Sequence, residues 1–360
     1  RQVVRWFCEL FKFGPQSSGL LLGGTSIANF AGVLVARTAS LGPTVRVDGL
    51  SQVRAKLVGY ASSATHNCVR KAFEMAGLGS EALRILPIDT SHRIDVHKLN
   101  DAIERDRAAG LVPFLLVGNA GTVDVGAIDP LEELADVAQR EGLWFHVDGA
   151  FGAMAALSPK LAPRLAGIER AGSIAFDFHK WLHVPYDAAC LLVRDETLHR
   201  QTFASEGPYI TRMERGTASG TPWFADFGPD LSRSFRALKV WFTLKHFGTQ
   251  RLAEAIEANC RQASLLAERI QSGTHFELAA PVNLNIVCFK LRGARGPQAD
   301  AANDALAVAV QESGRAVVSS TTIAGRRVLR ACFTNHRTRD EDVYLLIEAL
   351  AQASDGLFSP

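Results

Sequence analysis

Residues 173–182 read Ser173-Ile174-Ala175-Phe176-Asp177-Phe178-His179-Lys180-Trp181-Leu182. An apolar run closed by an Asp and followed at once by a His and a Lys is the profile of a strand buried on both faces that delivers polar side chains at its carboxyl end. The profile recurs upstream. Trp144-Phe145-His146-Val147-Asp148 ends on a carboxylate, and Val117-Gly118-Asn119-Ala120-Gly121-Thr122 closes a third run in small and polar residues. Working outward, the pattern predicts strands over residues 55–60, 82–87, 112–118, 144–148, 173–177 and 189–193. Helical periodicity falls between several of them, over 27–38, 67–76, 96–109 and 130–141, with Gly77 and Gly79 ending one helix and Pro130 opening another. Strand and helix in alternation predict an α/β domain with a mostly parallel sheet covered on both faces.

The character changes after Gly248. A long helical pattern over 251–272 leads to a strand at 284–291, a helix around 297–313, strands at 316–320 and 327–333, and a last helix from Asp340. This is the profile of a smaller α+β domain. The expected division is therefore the end of a helical segment over residues 1–13, a large domain over 14–247 and a small domain over 248–360. The chain opens on Val3, Val4, Trp6, Phe7, Leu10 and Phe11 in amphipathic spacing and without an initiator Met, which reads as the middle of a longer protein.

Composition narrows the function classes. The 360 residues are 47% hydrophobic, enough for a sizeable core. Lys and Arg number 39 against 37 acidic residues, and no charged run stands out, so neither nucleic acid nor an anionic membrane is expected as a partner. The cysteines, Cys8, Cys68, Cys190, Cys260, Cys288 and Cys332, are widely separated and fit free thiols in a reducing compartment better than disulfides or a zinc site, and no metal is expected. No apolar run is long enough to cross a bilayer, and the expected location is the cytoplasm.

In open parallel sheets ligands gather at the carboxyl ends of strands. There the chain offers Asp148, Asp177, His179, Lys180 and Thr122, while Gly23-Gly24-Thr25-Ser26 precedes a helix whose positive end suits a phosphate. Singly, each has a plain explanation: an Asp at a strand end caps a turn, a loop Lys is solvated, a Gly-Gly-Thr-Ser stretch is a turn with an N-cap, and a lone His66 is structural. Together they match what a pyridine-ring cofactor requires. The lysine condenses with an aldehyde, and the carboxylate keeps the ring nitrogen protonated so that the ring accepts electrons.

Residues 23–29, 65–79, 119–130, 146–152, 177–187 and 232–241 closely resemble the group II pyridoxal-5'-phosphate (PLP) decarboxylases, the aromatic-L-amino-acid decarboxylase type, and Asp-Phe-His-Lys-Trp-Leu is their specific marker. The resemblance runs from the first residues to about Val343. It implies the PLP-dependent transferase fold of the aspartate-aminotransferase type (fold type I), with a large seven-stranded, mostly parallel domain and a smaller C-terminal one. By matching positions it implies Lys180 as the Schiff-base lysine, His179 as a phosphate contact, Asp148 as the partner of the pyridine nitrogen and Ala150 as the small residue against the ring. His66 is implied as the imidazole over the opposite ring face, Thr25 and Ser26 as the phosphate loop, Thr122 as a contact to ring substituents and Asp177 as a position held by Asn or Asp. Tyr209, in Gly207-Pro208-Tyr209, stands where the family keeps a mobile-loop tyrosine that protonates the carbanion; relatives with Phe there tend towards oxidative aldehyde synthases. The stretch 211–227 is rich in Gly, Thr, Ser and Asp, as a lid would be.

The implied reaction is decarboxylation of an aromatic L-amino acid (tyrosine, tryptophan, dopa or phenylalanine) by a homodimer with its active site at the subunit boundary. The apolar face of the first helix is consistent with a surface buried there. Glutamate, a diamino acid or a phosphorylated sphingoid base is the alternative substrate, and a scaffold of the same fold that has lost catalysis is the non-enzymatic one. Ser232 occupies a position linked to phenolic or indolic preference. Arg330 either meets a substrate carboxylate or pairs with Asp340 or Glu341.

Overall fold

In the computed structural model, which describes residues 1–205, 213–216, 219–220, 222–293 and 296–358, the chain opens with α1 (Gln2–Leu10), β1 (Ser18–Leu22), α2 (Thr25–Leu41) and the single turn α3 (Val45–Asp48). Alternation follows: β2 (Leu57–Ser62), α4 (Cys68–Met75), β3 (Leu83–Leu86), α5 (Val96–Ala108), β4 (Val112–Asn119), α6 (Leu131–Glu141), β5 (Trp144–Asp148), β6 (Ser173–Asp177), β7 (Ala189–Val193) and α7 (Glu196–Phe203). The last part holds α8 (Arg236–Ser272), β8 (Phe276–Leu278), β9 (Ile286–Leu291), α9 (Gly296–Glu312), β10 (Ser319–Ile323), β11 (Arg326–Cys332) and α10 (Asp340–Phe358).

A seven-stranded sheet runs in the order β1-β7-β6-β5-β4-β2-β3. Its strands from β6 across to β3 pair in parallel, and β7 lies antiparallel to both β6 and β1. Every residue of β1, β6 and β7 is buried, as expected of a sheet covered on both faces. The carboxyl ends of the central strands stand side by side: Asn119 pairs with Asp148, and Asp148 with Ala175. A second, antiparallel sheet has the order β10-β11-β9-β8.

The expected bounds of β5, β6 and β7 coincide with the observed ones. Two strands went unread. β1 is Ser-Gly-Leu-Leu-Leu, without alternation and wedged between α1 and a Gly-Gly turn, and β8 is too short to show a period. Gly19 is required in β1 because a Cβ there would come within 2.8 Å of Leu192 and Val4, where α1 crosses the strand. The helix expected over 251–272 is preceded by another that begins at Arg236; Gly248, at φ 72° and ψ 161°, is non-helical and divides α8 into the two. Leu252 and Ile256, beyond the kink, still pack in the large core, and only from Ala263 onward does the helix join the core of the second sheet.

The apolar face of α1 is covered within the chain itself. Phe7 stacks edge-on against Phe178 at 4.9 Å and lies 5.3 Å from Phe176, with Phe11 completing the cluster. Val3, Val4, Phe7 and Phe11 are thus buried within the chain, while Trp6 and Leu10 stay half-buried.

The two sheets are joined at the loop after β4. Arg330 on β11 donates from Nε and Nη2 to the carbonyls of Asp124 (3.1 Å) and Val123 (2.7 Å), and Thr321 donates to the Asp124 carboxylate. The expected pairing of Arg330 with Asp340 or Glu341 is thus replaced by backbone carbonyls, because β11 presents this residue opposite Cys288, whose Sγ also reaches the Asp124 carbonyl.

Candidate active site

A cavity of about 870 Å³ opens at the carboxyl end of the large sheet. Its wall includes Thr25, Ser26, His66, Thr122, Asp148, Ala150, Asp177, His179 and Lys180, so the described residues of the expected catalytic and cofactor-binding set meet there. Tyr209 lies outside the described residues. Ser232 is exposed and is not in the cavity wall.

Asp148 ends β5 and is buried. It accepts from the Ala150 amide at 3.0 Å and from Asn29 Nδ2 at 2.8 Å. Burial pushes its carboxyl up from the usual range, and these hydrogen bonds, with the charges of Lys180 and His66, pull it back. A buried carboxylate held in this way is a receptor for a cationic N–H.

Asp177 ends β6 and ties the cavity floor together. It accepts from the Thr25 amide at 2.9 Å, and its other oxygen lies 2.9 Å from Lys180 Nζ and 3.7 Å from His179 Nε2. Lys180 is the more exposed partner, at 38% of its side chain, so its amine is held yet reachable. His179 accepts the Ala188 amide on Nδ1 at 3.0 Å, leaving Nε2 as its N–H, and stacks on Tyr186 at 4.2 Å. His66 accepts the Cys68 amide on Nδ1 at 3.2 Å and is exposed on the cavity side.

The start of α2 has the chemistry that suits a phosphate. Thr25 and Ser26 open the 17-residue α2, and no side chain caps its N-terminus. Thr25 Oγ1 is buried without a hydrogen-bond partner, so a donor at the positive end of a helix waits for an anion. A Cβ on Gly23 would lie 2.8 Å from Asp187 Oδ2 and would displace that carboxylate from its pairing with Arg236 at 3.0 Å. At the end of β4, Thr122 Oγ1 accepts the Ala127 amide at 3.0 Å and keeps its own hydrogen to donate.

Several cavity residues were not read from the sequence: Phe151, His183, Tyr186, Ile286, Asn335 and His336. Asn29, one turn beyond Thr25 on α2, was missed as well.

A family model described as the pyridoxal-dependent decarboxylase conserved domain matches residues 1–292. The chain belongs to this decarboxylase family. It is 34% identical over 356 residues to an aromatic-L-amino-acid decarboxylase of Bacillus atrophaeus, covering 97% of this chain and 72% of that one. It is 31% identical to tyrosine decarboxylase 2 of Narcissus pseudonarcissus, covering 95% and 69% respectively. Among solved structures, Oryza sativa TDC with PLP and tryptamine superposes with a TM-score of 0.90 at 28% identity, covering 99% of this chain and 76% of that one. This decarboxylase therefore has the α/β fold of the family's PLP enzymes, and PLP is its cofactor. No described helix is long and apolar enough to cross a membrane.

Proposed function

We propose that this PLP-dependent decarboxylase acts on an aromatic L-amino acid, with Lys180 as the cofactor-bearing lysine. The observation that carries the reading is the convergence of Lys180, Asp148, His66 and the unpartnered Thr25 hydroxyl on one cavity. PLP, when bound, supplies a protonated ring that takes up the electron pair of the breaking Cα–carboxylate bond.

The chain's own residues do the rest. Asp148 would hold a proton on the ring nitrogen. Thr25, Ser26 and His179 would hold the phosphate, Thr122 would donate to the cofactor, and Ala150 and His66 would flank its ring. Asp177, 2.9 Å from Lys180 Nζ, would hold the amine in place for the cofactor's aldehyde. Tyr209 is the residue that would supply the proton to Cα and favour an amine product over an aldehyde. An aromatic side chain is supported by the apolar wall of Val123, Phe151, Val184, Tyr186 and Ile286, and by the relatives' named activities. Arg330 is engaged by two carbonyls, which weighs against a free guanidinium waiting for a second carboxylate.

We further propose a homodimer. Phe235, Leu238 and Phe242 project at i, i+3 and i+7 from the start of α8 and are 73%, 43% and 57% exposed, a stripe that needs a partner. Arg236, in the same turn, pairs with Asp187 beside cavity residue Tyr186. All the cysteines are free, which supports a reducing compartment such as the cytoplasm.

The test is an absorption spectrum with added PLP, before and after L-tyrosine, L-tryptophan, L-dopa, L-phenylalanine and L-glutamate, with carbon dioxide measured in parallel. A visible band near ~420 nm that is lost in Lys180→Ala supports the lysine assignment. Carbon dioxide from an aromatic substrate supports the reading; release from glutamate alone overturns the substrate class, and no band from a folded protein overturns the site.

A further inference from the structure

Behind Asp148 lies a chain of buried polar groups that the reaction does not touch. Trp144, His146 and Asp148 alternate on one face of β5, as period-two geometry requires, and Ser173 of β6 stands in register with His146. α2 covers this face and presents Asn29. His146, Asn29 and Ser173 are each no more than 1% exposed.

The bonds have one direction. Asn29 Nδ2 spends its hydrogens on Asp148 Oδ2 at 2.8 Å and Cys68 Sγ at 3.2 Å, so its amide cannot be turned over without losing both. Its Oδ1, which only accepts, faces His146 Nε2 at 2.9 Å, and that nitrogen must therefore carry a hydrogen. Burial pushes the imidazole down to about 4, so at neutral pH the ring holds a single proton and Nδ1 is bare. Nδ1 accepts from Ser173 Oγ at 2.7 Å, and Ser173 Oγ accepts in turn from Trp144 Nε1 at 2.8 Å, a group that only donates. From Trp144 through Ser173, His146 and Asn29, each link donates towards Asp148.

A second observation comes from the helix. Gly32, one turn after Asn29, sits mid-helix, where glycine is less favourable than alanine. A Cβ there would lie 2.8 Å from His146 Cε1 and 3.0 Å from Nδ1. The glycine clears the space in which the imidazole lies.

We infer that Asn29, His146 and Ser173, with Gly32 as the clearance, are positioning residues that hold Asp148 as an oriented, ionised acceptor for the cofactor's ring N–H. The inference rests on the proposed meeting of Asp148 with the ring nitrogen. An uncompensated buried carboxylate would take up a proton and release its grip; a string of donors aimed at it opposes that. Asn29 and His146 act through Asp148 and do not themselves meet the substrate.

The first arm needs no cofactor. ¹⁵N-histidine spectra of the apoprotein are expected to show His146 as the Nε2–H tautomer, unchanged between pH 8 and pH 5.5; an Nδ1–H tautomer, or protonation within that range, overturns the relay. The second arm measures PLP affinity and, with ¹⁵N-labelled PLP, the protonation of its ring nitrogen. Asn29→Leu is expected to weaken PLP binding by about 10–100-fold and to let the ring nitrogen lose its proton at lower pH. His146→Leu should do the same in smaller measure, His146→Gln, which keeps a donor and an acceptor, should restore most of the affinity, and Gly32→Ala should fall between. Unchanged affinity and ring protonation in folded Asn29→Leu, where Asp148→Asn abolishes both, overturns the relay alone. Indifference to Asp148→Asn would instead overturn the reading on which the relay rests.

Discussion

Asp148 and His199 show how differently a buried ionisable side chain can be used. Asp148 meets two donors and faces a cavity, so its charge is available to a ligand. Replacing it by Asn keeps the shape and removes the charge, and turnover with saturating PLP should fall on the order of 100-fold or more, as with other lost electrostatic partners in closed sites; steady-state kinetics of Asp148→Asn read it. His199 is fully buried away from the cavity, with Nδ1 bonded to Ser18 Oγ at 2.8 Å. Burial pushes it down to about 3 from an ordinary 6.5. An unfolded chain takes up this proton as pH drops through about 6.5, whereas the folded one does not until about 3, so the stability His199 carries is present above that window and is lost as pH falls through it. Near pH 5 the wild-type stability should therefore decline more steeply with acid than that of His199→Gln, by about 1.4 kcal/mol per pH unit. Denaturant titrations of both proteins at pH 5 and pH 6 measure the difference, and equal slopes would refute the assignment.

At the scale of elements, what could be read in advance followed from burial. β5, β6 and β7 are continuous apolar runs punctuated by Asp, Gly or a turn, and their bounds were legible to the residue. The residues after them, Asp148 and the Asp177 to Lys180 stretch, were legible for the same reason, since topology sends the carboxyl ends of parallel strands to one edge. Asn29 and His146 were opaque because their importance lies in contacts between α2 and β5 across 117 residues of chain, which periodicity does not report. α1 was legible as an amphipathic helix, yet its partner was not. The nine-residue helix is too short to persist alone, and its Phe7 ring supplies much of its anchorage against Phe176 and Phe178. Phe7→Ala should destabilise the protein by about 3–5 kcal/mol, seen as a lowered melting temperature, while the surviving folded fraction keeps its PLP affinity. A melting temperature within a degree of wild type would show α1 to be dispensable to the core.

Across the whole molecule, the site is a product of the junction between the two sheets. The loop after β4 carries Thr122 into the cavity, and residues of the second sheet fasten it from behind: Arg330 to the Val123 and Asp124 carbonyls, Thr321 to the Asp124 carboxylate, Cys288 to the Asp124 carbonyl. Val125 and Ala127 of the same loop share a small core with Ile286, Cys288 and Val328. Arg330 also lines the cavity, so it could act by gripping a substrate or by setting the loop. The observed bonds favour the loop. Arg330→Leu removes two donors from carbonyls at the domain junction while leaving the apolar contacts, and loss of hydrogen bonds from a charged donor costs about 1.5–3 kcal/mol. The expected outcome is faster amide hydrogen exchange across residues 122–128 and PLP binding weakened by about 10-fold, with KM for the preferred amino acid changed little once PLP saturates. Should KM rise steeply while the exchange of the loop stays at its wild-type rate, Arg330 would belong to substrate recognition, and an acidic substrate would become the better reading of the cavity.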